Sequence, residues 1–305
     1  MSFGAPLPTQ AQRRVALPFV LCTLIWGSTW FVIVSQLRYV PAAWSIAYRF
    51  GLAGLAMFAV AVSMRAPLRL PAAGHRLAAI VGLTQFTLNY CFVYAAEERI
   101  ASGLVALISA LLIVPNALFG SLFLGQSVSR RFLLGSGVAM AGIALLFAHE
   151  IGQSAGDPHR VLMGVLLSVA GLMAASTANV LQATRQAKAL PPPTLLAWSM
   201  VYGTAIDAAY AWSTVGPPAF STAPVYIAGL LYLAIAGSAV AFSLYFGLIR
   251  VIGPARAGYI AVLIPVIAMA LSTLFEGYLW TPTAAAGAVL TIAGLVVAMR
   301  ARVAR

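Results

Sequence analysis

Ten long apolar runs dominate this sequence, near residues 15–35, 42–63, 77–96, 100–124, 132–148, 161–184, 194–214, 223–247, 254–275 and 281–299. A helix needs about 20 apolar residues to cross a hydrocarbon core of ~30 Å. Inside lipid the backbone must satisfy its own hydrogen bonds, so runs of this length are read as helices. Composition agrees: 62% of the 305 residues are apolar and 8% charged, against about 25% charged in a soluble domain. Cys22 and Cys91 are the only cysteines, and both lie inside apolar runs, which excludes a secreted disulfide scaffold. The expectation is an all-α integral membrane protein with ten transmembrane helices and loops too short for a soluble domain.

A formal net charge of +12 raises the question of nucleic acid; the location of the charge answers it. With loops numbered from the N-terminus, one side holds Arg13, Arg14, Arg65, Arg69, Arg76, Arg130, Arg131, Arg185, Lys188, Arg250, Arg256, Arg300, Arg302 and Arg305, with no acid among them. The other side holds Arg38, Arg99 and Arg160 with Glu97, Glu98, Glu150, Asp157 and Glu276. This alternation is the positive-inside pattern, with both termini cytoplasmic in a bacterial-type inner membrane, and it is not a nucleic-acid surface. Arg13-Arg14 before an apolar run also fits a signal peptide, but the run is long and lacks a small-x-small cleavage site, so a first transmembrane helix is the expectation.

The runs repeat after five. Pro115 precedes Gln126 by the same eleven residues that separate Pro265 from Glu276, and GSGVAMAG at 135–142 matches GAVLTIAG at 287–294. STW at 28–30 corresponds to STA at 176–178, and Gly51 to Gly203. An odd number of spans per unit inverts the second unit, an arrangement in which secondary transporters place substrate at the repeat interface near mid-membrane. The expected organisation is a cytoplasmic tail (1–14), a first repeat (15–148), an extracytoplasmic linker (149–160), an inverted second repeat (161–300) and a cytoplasmic tail (301–305).

IWGSTW at 25–30, AYRF at 47–50, the paired proline segments and the glycine-rich fifth and tenth spans resemble the drug/metabolite transporter superfamily, specifically its EamA-type ten-helix exporters. The resemblance implies a basket of spans 1–4 and 6–9 around a central cavity, with spans 5 and 10 peripheral. It also implies export, and the aromatic amino-acid exporters are the most similar members. Gln126 departs from the pattern, because an acid is usual there; Glu276 keeps it and is read as an interfacial end-cap.

Polar groups at bilayer depth are costly unless they are paired or face water, so each one within a span is a candidate. Span three carries Gln85 and Asn89 on one stripe, with Phe86, Tyr90 and Tyr94 alongside. Amides beside aromatic faces suit a substrate with a zwitterionic head and an apolar or aromatic tail; the competing reading is interhelical glue worth about 0.6–2 kcal/mol per contact. Span one puts Trp26, Thr29 and Trp30 on a shared face with Ile33, and span six puts Ser176 beside Asn179. Span four adds Ser109 and Asn116, span eight Ser238 and Tyr245 on one face with Phe242, and span nine Tyr259. Pro115 and Pro265 each remove a backbone donor and are candidate hinges or static kinks. Arg49 in span two and Asp207 in span seven lie at matched depth, which leaves an ion pair open to them as a gate or a structural contact.

The three histidines fall in loops, and no span holds a metal-binding or nucleophilic set, so an enzyme is not expected and no cofactor or metal is implied. Paired inverted units without a filter-like loop disfavour a channel. With Arg49 the one basic residue inside a span, phosphorylated substrates lack their cations. The expected partners are the lipid bilayer and a small molecule, either neutral amino acids or lipophilic and cationic metabolites. Small-residue faces on spans five and ten fit packing within one chain or a homodimer.

Overall fold

The computed structural model describes residues 9–125, 127–153, 157–252 and 260–300. Gln126 and Tyr259 lie outside them, as do part of the N-terminal tail, part of the linker and the whole C-terminal tail. Each apolar run forms a helix wherever it is described, and the described residues include no strand. The long helices are α1 (Thr9–Leu37), α2 (Ala42–Ser63), α3 (Ala72–Glu97), α4 (Ser102–Leu124), α5 (Arg130–Gln153), α6 (Pro158–Ala183) and α7 (Pro192–Thr214). Then come α8 (Pro224–Leu231, continuing through Tyr232–Val240 and Ala241–Ile252), α9 (Ile260–Phe275) and α10 (Pro282–Arg300). Six carry stretches long and apolar enough to cross a membrane, and Ile264–Phe275 and Pro282–Ala298 are shorter apolar helices. Large apolar side chains such as Leu55, Leu122, Phe123 and Leu274 are exposed, as expected of a face in contact with acyl chains.

The most extensive helix contacts follow one rule: adding or subtracting five from both labels turns one contact into another. α1 packs on α8 and α9, and α6 on α3 and α4; α3 packs on α7, and α8 on α2. The pairs α2–α7, α4–α9 and α5–α10 map onto themselves. The two five-helix repeats are therefore related by a pseudo-twofold axis, and the odd span count makes them inverted.

The glycine-rich segments meet each other. A Cβ on Gly142 would lie 2.5 Å from the Gly287 carbonyl oxygen, and one on Gly287 2.8 Å from the Gly142 oxygen. Only hydrogen fits at such a backbone crossing. Thr291 Oγ1 reaches the Ala139 carbonyl at 3.4 Å across the same seam. These small faces are used within the chain, which settles where they pack, and α5 and α10 form a separate pair beside the basket.

Three departures from α-geometry shape the interior. α3 is π-helical over Gly82–Leu88 and α8 over Tyr232–Val240, at equivalent places in the two repeats. α4 tightens to a 3-10 turn at Ala110–Leu112, just before Pro115. Pro115 has no N–H to offer the preceding turn, which accounts for the irregularity there. Pro265 lies within α9.

Candidate functional site

A cavity of about 180 Å³ lies between the repeats, walled by α1, α3, α4, α6, α8 and α9. Trp26, Thr29 and Trp30 come from α1; Gln85, Asn89 and Tyr90 from α3; Ser109 from α4; Asn179 from α6; Tyr245 from α8. These are residues the sequence nominated for the site. Apolar groups complete the wall: Ile33, Val93, Ala106, Ala110, Leu112, Leu172, Ala175, Phe242, Ile260 and Ile264. No charged side chain is among the lining residues described.

The aromatic end of the cavity is held firmly. Trp26 donates its indole N–H to the Gly237 carbonyl at 3.1 Å, within the π segment of α8. Its ring meets Phe242 and Tyr245 edge-on at 5.4 and 5.1 Å. The Trp30 indole N–H is buried without a hydrogen-bond partner. A buried donor left open costs about 1–3 kcal/mol, and Trp30 is itself a wall residue.

Other nominated residues lie elsewhere, and for Phe86 and Ser238 a π segment is the reason. A π segment bonds i to i+5 and so turns the side chains after it off the ordinary helical stripe. Phe86, inside that segment, is fully buried against Phe50 and Phe242 rather than in the cavity lining. Ser238, in the matching segment of α8, receives Arg49 Nε at 3.1 Å. Tyr94 is fully buried and accepts from Arg49 Nη1 at 3.4 Å. Asn116 accepts from the Asn179 amide at 3.3 Å and stands behind that wall residue. Ser176 is fully buried, its hydroxyl unpartnered, and the neighbouring Ala175 faces the cavity instead.

Arg49 and Asp207 do not pair. The single ion pair among the described residues joins Arg99 to Glu98 at 3.5 Å. Arg49 is 1% exposed and distributes its donors over Ser238, Tyr94 and Tyr90, with its guanidinium 4.5 Å above the Tyr90 ring. Asp207 is fully buried on α7, beside Thr87 and Cys91 of α3. Matched depth did not bring the two together, because α2 and α7 turn these side chains toward different neighbours.

Glu276 does cap a helix. It accepts from the Ser102 backbone N–H at 3.2 Å, from the Ser102 hydroxyl and, at 2.9 Å, from Ser272. Ser102 opens α4, so the carboxylate of one repeat satisfies an orphan N–H of the other. Sequence reading placed Glu97 in a loop; the structure makes it the last residue of α3, buried at 7% exposure.

Comparison with known proteins follows this architecture. The chain is 27% identical over 272 residues to an uncharacterized inner membrane transporter, YedA, of Escherichia coli K12, covering 83% of this chain and 80% of the relative. It is 21% identical over 269 residues to the protein PagO of Salmonella typhimurium, covering 88% and 87%. A solved structure titled only as a protein crystal structure superposes with a TM-score of 0.69 at 19% identity, over 96% of this chain and 97% of that one, which speaks for the fold. The EamA-like transporter family matches residues 14–148 and again 162–300. A two-repeat helical basket enclosing a cavity, with both repeats matched to that family, makes this chain a membrane transporter of the EamA-like transporter family.

Proposed function

We propose that this transporter exports neutral amino acids, aromatic ones among them, and related small metabolites by alternating access, from an inner membrane with both termini cytoplasmic. The observation that carries the reading is the make-up of the cavity wall. Amides of Gln85, Asn89 and Asn179 share it with the rings of Trp26, Trp30, Tyr90, Phe242 and Tyr245. Amide N–H groups donate to a carboxylate; amide oxygens and ring faces accept an ammonium. The rings and the aliphatic side then take the apolar tail. Pseudo-symmetric halves give inward-open and outward-open states of comparable energy, and the residues nominated as hinges, Pro115 and Pro265, sit on the self-mapping pair α4–α9. The inner-membrane placement follows the relatives, and the orientation follows the loop arginines.

A second reading is export of lipophilic or cationic toxic compounds. Ile33, Val93, Leu172, Ile260 and Ile264 favour it, because they leave much of the wall apolar. Counterflow in proteoliposomes separates the two. Uptake of phenylalanine, methionine and threonine without uptake of a lipophilic cation supports amino-acid export; the reverse selectivity supports the second reading and removes the first.

A further inference from the structure

A polar chain of contacts leaves the cavity through Tyr90 and ends on a carboxylate that nothing holds. The Tyr90 hydroxyl accepts from Arg49 Nη2 at 3.5 Å, and Arg49 reaches Tyr94 by its other terminal nitrogen. Beyond them lies Glu97, which interacts electrostatically with Arg49 and with Glu276. Both oxygens of Glu97 are buried, and neither accepts a hydrogen bond. Glu276, its acidic neighbour, is fully occupied by the two donors of Ser102 and the hydroxyl of Ser272. Of these two acids, the half-buried Glu276 has three donors and the buried Glu97 has none.

Donors stabilise an anion, and Glu97 has none, so Glu97 is the group with room for a proton. Its other charged surroundings do not compete. Glu98 is paired with Arg99, and Arg160 of α6 gives Nη2 to the Glu98 carbonyl at 2.8 Å. Asp207 on α7 is also buried with neither oxygen hydrogen-bonded, but it sits beside Thr87 and Cys91, away from the Arg49 chain.

We propose that Glu97 is a proton-binding site coupled to transport, with Arg49 and Tyr90 as the link to the cavity. This rests on the export reading for its role and on the geometry alone for its location. With the proton on a Glu97 oxygen, Arg49 stays on Tyr90, Tyr94 and Ser238, the arrangement seen here. When the O–H bond of a proton that entered from the mouth opposite the termini breaks, and the proton leaves to water on the side of the termini, the carboxylate draws the guanidinium off Tyr90. The freed ring then changes the cavity wall. Proton entry would thus drive substrate exit.

The site is tested on the full chain in lipid nanodiscs by infrared difference spectra between acidic and alkaline buffer. Wild type is expected to show a carbonyl stretch of a protonated carboxyl that vanishes on alkalinisation. The band is expected to lose a pH-dependent component in Glu97→Gln that Asp207→Asn, which reports the share of the other unpartnered carboxyl, keeps; Glu97→Asp, which preserves the acid, keeps it if the glutamine variant fails to fold. Identical spectra for wild type and a folded Glu97→Gln would overturn the proposal, as would a carboxylate band that follows sodium instead of pH. Phenylalanine counterflow supplies the coupling readout: its rate depends on pH in wild type and loses that dependence in Glu97→Gln. A wild type that moves no phenylalanine overturns the amino-acid reading and leaves the infrared result to decide the proton site.

Discussion

The middle segments of α3 and α8 occupy the same place in the two repeats, share the same π geometry, and do different chemistry. The α3 segment and the turn after it deliver Gln85, Asn89 and Tyr90 to the cavity. The α8 segment turns Ser238 away onto Arg49, gives its Gly237 carbonyl to Trp26, and leaves Phe242 and Tyr245 as the wall. A symmetric scaffold thus carries an asymmetric lining: α3 presents two amides and a tyrosine, and the matched α8 presents rings alone. Under the proposed alternating access, duplication would supply the motion and the divergence of matched segments the recognition.

The difference can be broken experimentally. On the α3 side, Gln85→Leu combined with Asn89→Leu should cost the most, because each hydrogen bond to a charged group is worth about 1.5–3 kcal/mol. Counterflow should fall by roughly 100-fold or more while the protein stays monodisperse; unchanged uptake would make both amides interhelical glue. On the α8 side the losses should be smaller. Tyr245→Leu removes one ring from Trp26, a contact worth about 0.5–1.5 kcal/mol, and should raise KM by several-fold at unchanged kcat in a transport assay.

Ser238→Ala should act on stability instead of on KM. Removing one acceptor from the buried Arg49 costs about 1–3 kcal/mol, read as a lower melting temperature in detergent. If it changed substrate selectivity, the division of labour drawn between α3 and α8 would be wrong. The smallest effect concerns the pair that depth alone suggested. Arg49→Met and Asp207→Leu should add in a double-mutant cycle within about 0.3–0.5 kcal/mol, as residues without a shared partner do. A larger coupling would restore the ion-pair latch.

Much of this architecture is written in the sequence. Span count and repeat inversion follow from run length, spacing and loop charge, none of which depends on side-chain direction. The faces of α1 were legible for the same reason that any regular helix is: Trp26, Thr29 and Trp30 keep their 3- and 4-residue spacing and line the cavity together. Faces across α3 and α8 were less legible. Nothing in Gly82–Leu88 or Tyr232–Val240 announces a π segment, and that is where Phe86 and Ser238 left the expected wall.

Apolar wall residues such as Val93, Leu172 and Ile264 look like core or lipid contacts until the cavity is seen. Glu97 was missed because an acid next to Glu98 and Arg99 looks like a polar loop; the signal lay in its position at the close of an apolar helix. The small faces on α5 and α10 announced close packing but could not name the partner, which turned out to be each other.

The central claim, that the cavity between the repeats opens alternately to the two sides of the membrane, is tested most directly at Ser109, a wall residue on α4. Ser109→Cys in a background lacking Cys22 and Cys91 would be labelled with a membrane-impermeant maleimide in right-side-out and inside-out vesicles. The account predicts labelling from both sides, with transported substrate slowing each. Labelling from neither side, or from one side only whatever the substrate, would contradict it.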